Sequence, residues 1–350
     1  MSAITVMNSM KCLNLDVVPI FVSQSGRWLV KHPMQIGEEE LCEVVNLRMS
    51  EIGTVVEIGS LIARISCAIP MIHGRYGEDG TIQTILEYFN IPYCGCSSIA
   101  SRRAYDKDIA RQIARNFGIR SVPYILAHYG EDVPAIPFPY PLFVKNASLG
   151  SSLGVSLVKN ENELGDSLKS AWQYGKKALI EPAIIGNEIE CAVLDGVEVT
   201  KYDSQCEVAE TSLNGCLIRG DKIASPIGEI RITSEYEFYD YNAKYNNKNQ
   251  TFFTDSNISN AQKIDIQETS LAIFSAINAA GMARVDFFVA DDVVYFNEIN
   301  TIPGFTEISG FPTMWKAAGM DISEIVSCLV RGAVRKSNRI RYRRIVELVI

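Results

Sequence analysis

A mixed α/β chain of two or three domains is what this sequence predicts. Its 350 residues are 47% hydrophobic, ample for more than one core. Strand-like apolar runs alternate with amphipathic helical stretches along its whole length. Neither internal repeats nor low-complexity linkers interrupt them, so boundaries follow from element order and fall near residues 97 and 184.

Residues 2 to about 22 read as a helix, with Ala3, Val6, Met10 and Leu13 on its apolar stripe, then a strand from Asp16 to Val22. Ser23–Gly26 is a turn, and Arg27–Val30 returns as a strand. Ser66–Ile72 has the pattern of a buried strand and leads into His73-Gly-Arg-Tyr-Gly-Glu-Asp-Gly80, which opens a helix from Thr81 to Asn90. A glycine-rich turn between strand and helix lets backbone N–H groups approach an anion. A structural turn with its Asp at the N-cap accounts for the same residues. The next helix runs from Tyr105 to Phe117 and carries Lys107 near its start.

Leu142–Lys145 is a strand that ends on a lysine and runs into Asn146-Ala-Ser-Leu-Gly-Ser-Ser-Leu-Gly154. Flexible donors beside an ammonium suit phosphate oxygens, the alternative being a plain surface hairpin. The spacing is not that of a P-loop. Asn162–Gln173 reads as a helix with Asn162 as N-cap. Lys177–Glu181 is a strand, and a bend flanked by Glu181 and Glu188 turns it into another from Ile189 to Leu194. Glu198–Pro226 reads as loop and short strands. Phe238–Tyr245 and the Asn-rich 246–249 are too polar for a core and read as a mobile loop carrying Lys244. Asp265–Ala280 and Met320–Val334 are the last helices.

Between those two helices lies the stretch with the most chemistry, Gly281–Ser309. Ala283–Val289 and Val293–Ile299 form a hairpin about Asp291–Asp292. A three-residue loop sets Asp286 opposite Glu298 and Arg284 opposite Asn300. Two carboxylates and an amide beside one fixed positive charge suit Mg²⁺, which leaves its other positions to waters and phosphates. A solvated hairpin with paired charges is the competing account.

The net charge of −8 argues against nucleic acid as a partner. The basic stretch Arg335–Arg344 reads as a solvated helix end. No run approaches the ~18 apolar residues of a membrane helix, and the opening residues lack the pattern of a signal peptide. Nine cysteines, at 12, 42, 67, 94, 96, 191, 206, 216 and 328, are an odd number in apolar surroundings. That fits a reduced cytoplasmic compartment better than a disulfide framework. Cys94-Gly-Cys96 has no second pair or nearby His to complete a zinc site.

In this order, HGRYGEDG, YDK, FVKNASLGSSLGVS, EPAIIGNEIECAVL, FYDYNAKY and ARVDFFVADDVVYFNEINTIPGFTEIS resemble the D-alanine–D-alanine ligases of the ATP-grasp superfamily. The resemblance implies three α/β domains: a truncated N-terminal parallel-sheet domain over 1–97, a central ATP-grasp subdomain over 98–184, and a C-terminal one over 185–350. ATP would lie between two antiparallel sheets. Lys107 and Lys145 would contact its α- and β-phosphates and Lys244 its γ-phosphate. Glu181 and Ile184 would meet the adenine and Glu188 the ribose. Asp286, Glu298 and Asn300 would hold two Mg²⁺ or Mn²⁺ ions. Ser151 and Tyr245 match the family's hydrogen-bonded pair, and Arg284 with the N–H of Gly304 its oxyanion site. Ser309 with Arg284 would take the second substrate's carboxylate, and His73 would stand near the first substrate. The implied reaction joins two D-alanines through an acyl phosphate in a cytoplasmic homodimer. A related ligase using another amino or hydroxy acid, and an ATP-binding protein without turnover, are the alternatives.

Three positions depart from the family pattern. The chain starts at Ser2-Ala-Ile, just after the point where the family has a strand, a Gly-Gly turn and a Glu-His-Glu-Val-Ser segment. Tyr105 replaces the usual Met before Asp106 and Lys107, and Glu307 stands where the family has a small residue. Tyr245 is the residue type linked with D-alanine rather than D-lactate as second substrate.

Overall fold

The computed structural model describes residues 1–22, 28–30, 43–50, 53–58, 61–148, 150, 154–196, 213–232, 250–254 and 256–344. Helix α1 (Ser2–Cys12) precedes a five-stranded sheet of β1 (Ile20–Val22), β2 (Trp28–Val30), β3 (Glu43–Ser50), β4 (Gly53–Ile58) and β5 (Leu61–Arg64), in that spatial order. Every pairing in it is antiparallel, which corrects the parallel sheet expected here. Across β3, β4 and β5 the cause is connection length. Ser50 pairs directly with Gly53, and Ile58 with Leu61, whereas parallel neighbours need a crossover of about a dozen residues or more. The strand expected over Ser66–Ile72 reduces to a single parallel bridge between Ala68 and Tyr93.

Helix α2 (Thr81–Tyr88) starts beside Asp79, whose carboxylate accepts from Thr81 N–H at 3.0 Å. A helix that was not expected, α3 (Ser98–Tyr105), precedes α4 (Lys107–Asn116), which is the helix expected over Tyr105–Phe117. Asp106 breaks them with an extended backbone and accepts from Asp108 and Ile109 N–H as an N-cap. Lys107 is thereby the first residue of a new helix.

A four-stranded antiparallel sheet follows, ordered β6 (Ile125–His128), β9 (Lys177–Pro182), β7 (Leu142–Asn146), β8 (Val155–Val158), with α5 (Glu161–Trp172) on one face. Its N-cap is Asn160, two residues before the expected one, because Glu163 reaches back to Lys159 N–H at 2.8 Å and already belongs to the first turn. Leu142, Val144, Ala178 and Ile180 pack against Leu168 and Ala171 of α5. Alternation then turns Lys145 and Glu181 to the opposite face.

The seven-stranded sheet is built on β10 (Asn187–Asp195). It carries β11 (Leu217–Arg219), β12 (Lys222–Ala224), β13 (Gly228–Ile232) and β14 (Gln250–Phe253) on one side, and β15 (Met282–Ala290) with β16 (Val293–Asn300) on the other. Odd-numbered Ile189, Cys191, Val193, Val285 and Phe287 pack on α6 (Asn260–Ala276) and on alanines of α3 and α4. Fully buried rings such as Phe274 and Phe287 each stabilise this layer by about 1.5–3 kcal/mol. Even-numbered Ala192, Leu194 and Met282 meet α7 (Gly310–Ala317), α8 (Ile322–Arg344) and Val6 of α1. Further along this second face the side chains change from apolar to charged, with Glu190, Arg284 and Asp286 all buried. Among the described residues no helix is long and apolar enough to cross a membrane.

Candidate active site

Asp291 and Asp292 both have positive φ, 47° and 61°, as a two-residue type I′ hairpin turn requires. Pairing runs from Ala290↔Val293 to Phe287↔Phe296 and then steps to Asp286↔Glu298 and Arg284↔Asn300, leaving Asn297 as an extra residue. The offset expected from a three-residue loop is thus divided between a shorter turn and a bulge, and the same pairs result.

On the other side of β15, Glu190 stands opposite Asp286. Glu190, Asp286 and Glu298 therefore form a row across adjacent strands, an arrangement that destabilises unless cations intervene. Two do. Arg284 donates to Asp286 from Nε at 2.7 Å and from Nη2 at 2.8 Å, and its Nε lies 3.1 Å from Glu190 Oε1. Lys107 Nζ lies 2.7 Å from Glu298 Oε2. Asn300 Nδ2 donates to Asp286 Oδ2 at 2.9 Å. Burial opposes the charge on Arg284, and Asp286 and Glu190 more than offset it, holding its pKa above the usual value. Two carboxylates and an amide oxygen on neighbouring strands are a hard-oxygen donor set that fits a divalent cation of the Mg²⁺ type.

Beside the row opens a cleft lined by Glu78, Tyr105, Lys107, Gly150, Glu298 and Asn300. It gathers the glycine-rich loop after residue 72, the α3–α4 break, the Gly/Ser loop and the end of β16, all remote from one another in sequence. Lys107 N–H donates to Ala147 O at 2.8 Å, joining α4 to the Gly/Ser loop. Glu78 Oε2 accepts from Gly74 N–H at 2.7 Å. Burial pushes this carboxyl up to about 7, and the charge of Glu298 adds to the rise.

Behind the cleft Arg111 is fully buried. One helical turn after Lys107, it shares that residue's face of α4. Its Nη1 donates to Glu181 Oε1 at 2.6 Å, its Nε to Asn297 O at 3.0 Å and its Nη2 to Asn297 Oδ1 at 2.9 Å. The other oxygen of Glu181 lies 2.7 Å from Lys145 Nζ. Burial would raise the pKa of Glu181, but Arg111 and Lys145 hold it below the usual value. Burial drives the Lys145 ammonium down while Glu181 opposes the shift.

His73 Nδ1 lies 2.9 Å from Ile302 O, and its Nε2 lies 3.0 Å from Ser2 Oγ, which accepts from Phe305 N–H at 3.1 Å. Gly304 and Ser309 belong to one turn. Ser309 Oγ accepts from Thr306 N–H at 3.1 Å, and a Cβ on Gly304 would come within 2.8 Å of it. Ile184 sits in the bend between β9 and β10, and Glu188 lies on β10 two residues from Glu190, on the same face. Ser151, Lys244 and Tyr245 lie outside the described residues.

Four site residues escaped the sequence reading. Arg111 had a signal, its spacing from Lys107. Glu190 had one too, as a second acid alternating with Glu188 in an apolar strand. Glu78 was visible only as part of the glycine-rich loop. Asn297 had none, because a bulge leaves no mark on the residue pattern.

Two antiparallel sheets brought together over paired lysines and a row of acids are the architecture of an ATP-grasp enzyme. Residues 1–96 match the family model described as D-ala D-ala ligase N-terminus, and residues 116–331 that of the D-ala D-ala ligase C-terminus. The D-alanine–D-alanine ligase of Geobacillus thermodenitrificans is 33% identical, covering 96% of this chain and 91% of the relative. That of Proteus mirabilis is 36% identical over 79% of this chain and 71% of the relative. The solved structure of the D-alanine–D-alanine ligase from Coxiella burnetii superposes with a TM-score of 0.77 at 28% identity, covering 97% of this chain and 92% of that one. The chain belongs to the D-alanine–D-alanine ligase family.

Proposed function

We propose that the protein joins two D-alanine molecules into D-alanyl-D-alanine at the expense of ATP, for peptidoglycan precursor synthesis. The observation that carries this reading is the single cleft on which Glu78, Lys107, Gly150, Glu298 and Asn300 converge from four separate motifs, in a chain of this family.

Lys107 and Lys145 bind the α- and β-phosphates of ATP, and Lys244 the γ-phosphate. The carboxylate of Glu181 is committed to Arg111 and Lys145. In this reading the carboxylate orients Lys145, the backbone of Glu181 and the bend around Ile184 meet the adenine, and Glu188 takes the ribose. Asp286, Glu298 and Asn300 hold Mg²⁺ or Mn²⁺, two ions, whose charge offsets that of the phosphates. A carboxylate oxygen of the first D-alanine, bound near His73, attacks the γ-phosphorus, and ADP leaves. Orientation by the lysines carries most of this step. The amine of the second D-alanine, held through its carboxylate by Ser309 and Arg284, then attacks the acyl carbon. Arg284 and the Gly304 N–H stabilise the tetrahedral oxyanion until phosphate departs. Ser151 and Tyr245 help close the Lys244 loop, which keeps water from the acyl phosphate. Domains divided near 97 and 184, a homodimer and a cytoplasmic location complete the reading.

The test is a coupled ADP assay with product analysis. ADP release that needs both D-alanine and a divalent cation, stops with EDTA and yields one dipeptide per ADP is the expected result. ATP hydrolysis indifferent to D-alanine, or turnover only with D-lactate or D-serine as second substrate, overturns it.

A further inference from the structure

Asp286 has two oxygens, and both are engaged by Arg284, at 2.7 and 2.8 Å, with Asn300 sharing the second. A divalent cation at this carboxylate must take at least one of them. Arg284 is buried, so a guanidinium deprived of that bond would resist the exchange unless another anion held it. Glu190 stands opposite Asp286 in the sheet, with Oε1 3.1 Å from Arg284 Nε and only 4% of the residue exposed. The start of α7 closes over this carboxylate. A Cβ on Gly310 would come 2.1 Å from Glu190 Oε2 and 2.8 Å from the Phe252 ring, so only glycine leaves the carboxylate its place.

We propose that Glu190 is a positioning residue, the standing counter-ion of Arg284 that frees Asp286 to receive a divalent cation. Arg284 then keeps its place when the cation enters, because its charge is already shared with a carboxylate that takes no part in coordination. The inference rests on the ligase reading above and adds to it a division of labour along the row: Glu190 serves the arginine, while Asp286 and Glu298 serve the ion.

The experiment measures Mn²⁺ binding to the full chain by electron paramagnetic resonance, with ADP and without it, for wild type, E190Q, E190D and G310A. E190Q keeps the shape and removes the charge. G310A keeps the charge and displaces it. Both are expected to bind Mn²⁺ about 10- to 100-fold more weakly, the scale on which residues supporting a metal ligand act. E190D should fall between them and wild type, and KM for D-alanine should rise more than KM for ATP. If E190Q does not fold, E190D and G310A carry the same comparison. Wild-type Mn²⁺ affinity in these variants, whatever their melting temperatures, overturns the proposal, as does a wild type that binds no Mn²⁺. A wild type that binds Mn²⁺ but releases no ADP with D-alanine sinks the ligase reading alone, and the variants then decide this one.

Discussion

Arg111 ties three elements together through one side chain: α4 on which it stands, β9 through Glu181, and the β16 bulge through Asn297. Breaking a buried ion pair by removing one partner costs about 3–5 kcal/mol, because the other charge is left behind in a poor solvent. Arg111→Leu should therefore lower the unfolding free energy from urea titration by an amount on that scale. Arg111→Lys keeps the charge but loses the fork that reaches Glu181 and Asn297 together. Its expected signature is a folded protein whose KM for ATP rises about 10-fold, since Lys145 loses its brace. Glu78 makes a prediction of a different kind. Its carboxyl is raised from 4.5 to about 7 in the folded protein. The stability this contributes is full below the ordinary carboxylate pKa and is lost as pH rises through 7. Between pH of about 5 and 7 the wild type should lose melting temperature relative to Glu78→Gln. Parallel curves for the two proteins would show that the carboxyl ionises normally.

At the level of elements, the hairpin carries its function in two irregularities, the turn and the bulge. Asp291 and Asp292 occupy left-handed backbone that favours glycine, at a cost of order 1 kcal/mol each. Asp292→Gly gives this turn the Asp-Gly pair it prefers. The variant should be more stable by up to about 1 kcal/mol in denaturant titration, with kcat unchanged. A loss of stability would mean that the long contact from Gln262 to Asp292, 3.4 Å, outweighs the strain. The bulge does separate work. Because Asn297 is left over from the ladder, its carbonyl and amide oxygen are both available to Arg111, which a regular strand would not offer.

For the whole molecule, what could be read in advance was what residue type and parity encode. Acids and lysines at strand ends announced the site, and alternation assigned Asp286 and Glu298 to their faces. Pairing direction in most of the first sheet was missed because β3, β4 and β5 were not read as strands, and with them the short links that force antiparallel neighbours. Helix α3 was missed altogether, so Asp106 was not seen as the junction of two helices, although Asp is itself a capping residue. Arg111 and Glu190 were overlooked for a shared reason. Spacing from Lys107 and from Glu188 marks a common face, but not the partner, distant in sequence, that each meets there. Ser151, Lys244 and Tyr245 lie beyond the described residues, so their expected roles stand on resemblance.

The row of acids has a consequence for ion choice. Neighbouring strands lie about 4.8 Å apart whatever side chains they bear, so main-chain pairing, not rotamers, sets the pitch from Glu190 through Asp286 to Glu298. Exchanging aspartate for glutamate lengthens an arm without moving its shoulder. An engineer seeking a pocket for a larger cation would have to slide one strand against its neighbour, and every apolar residue on the reverse side would then have to move with it.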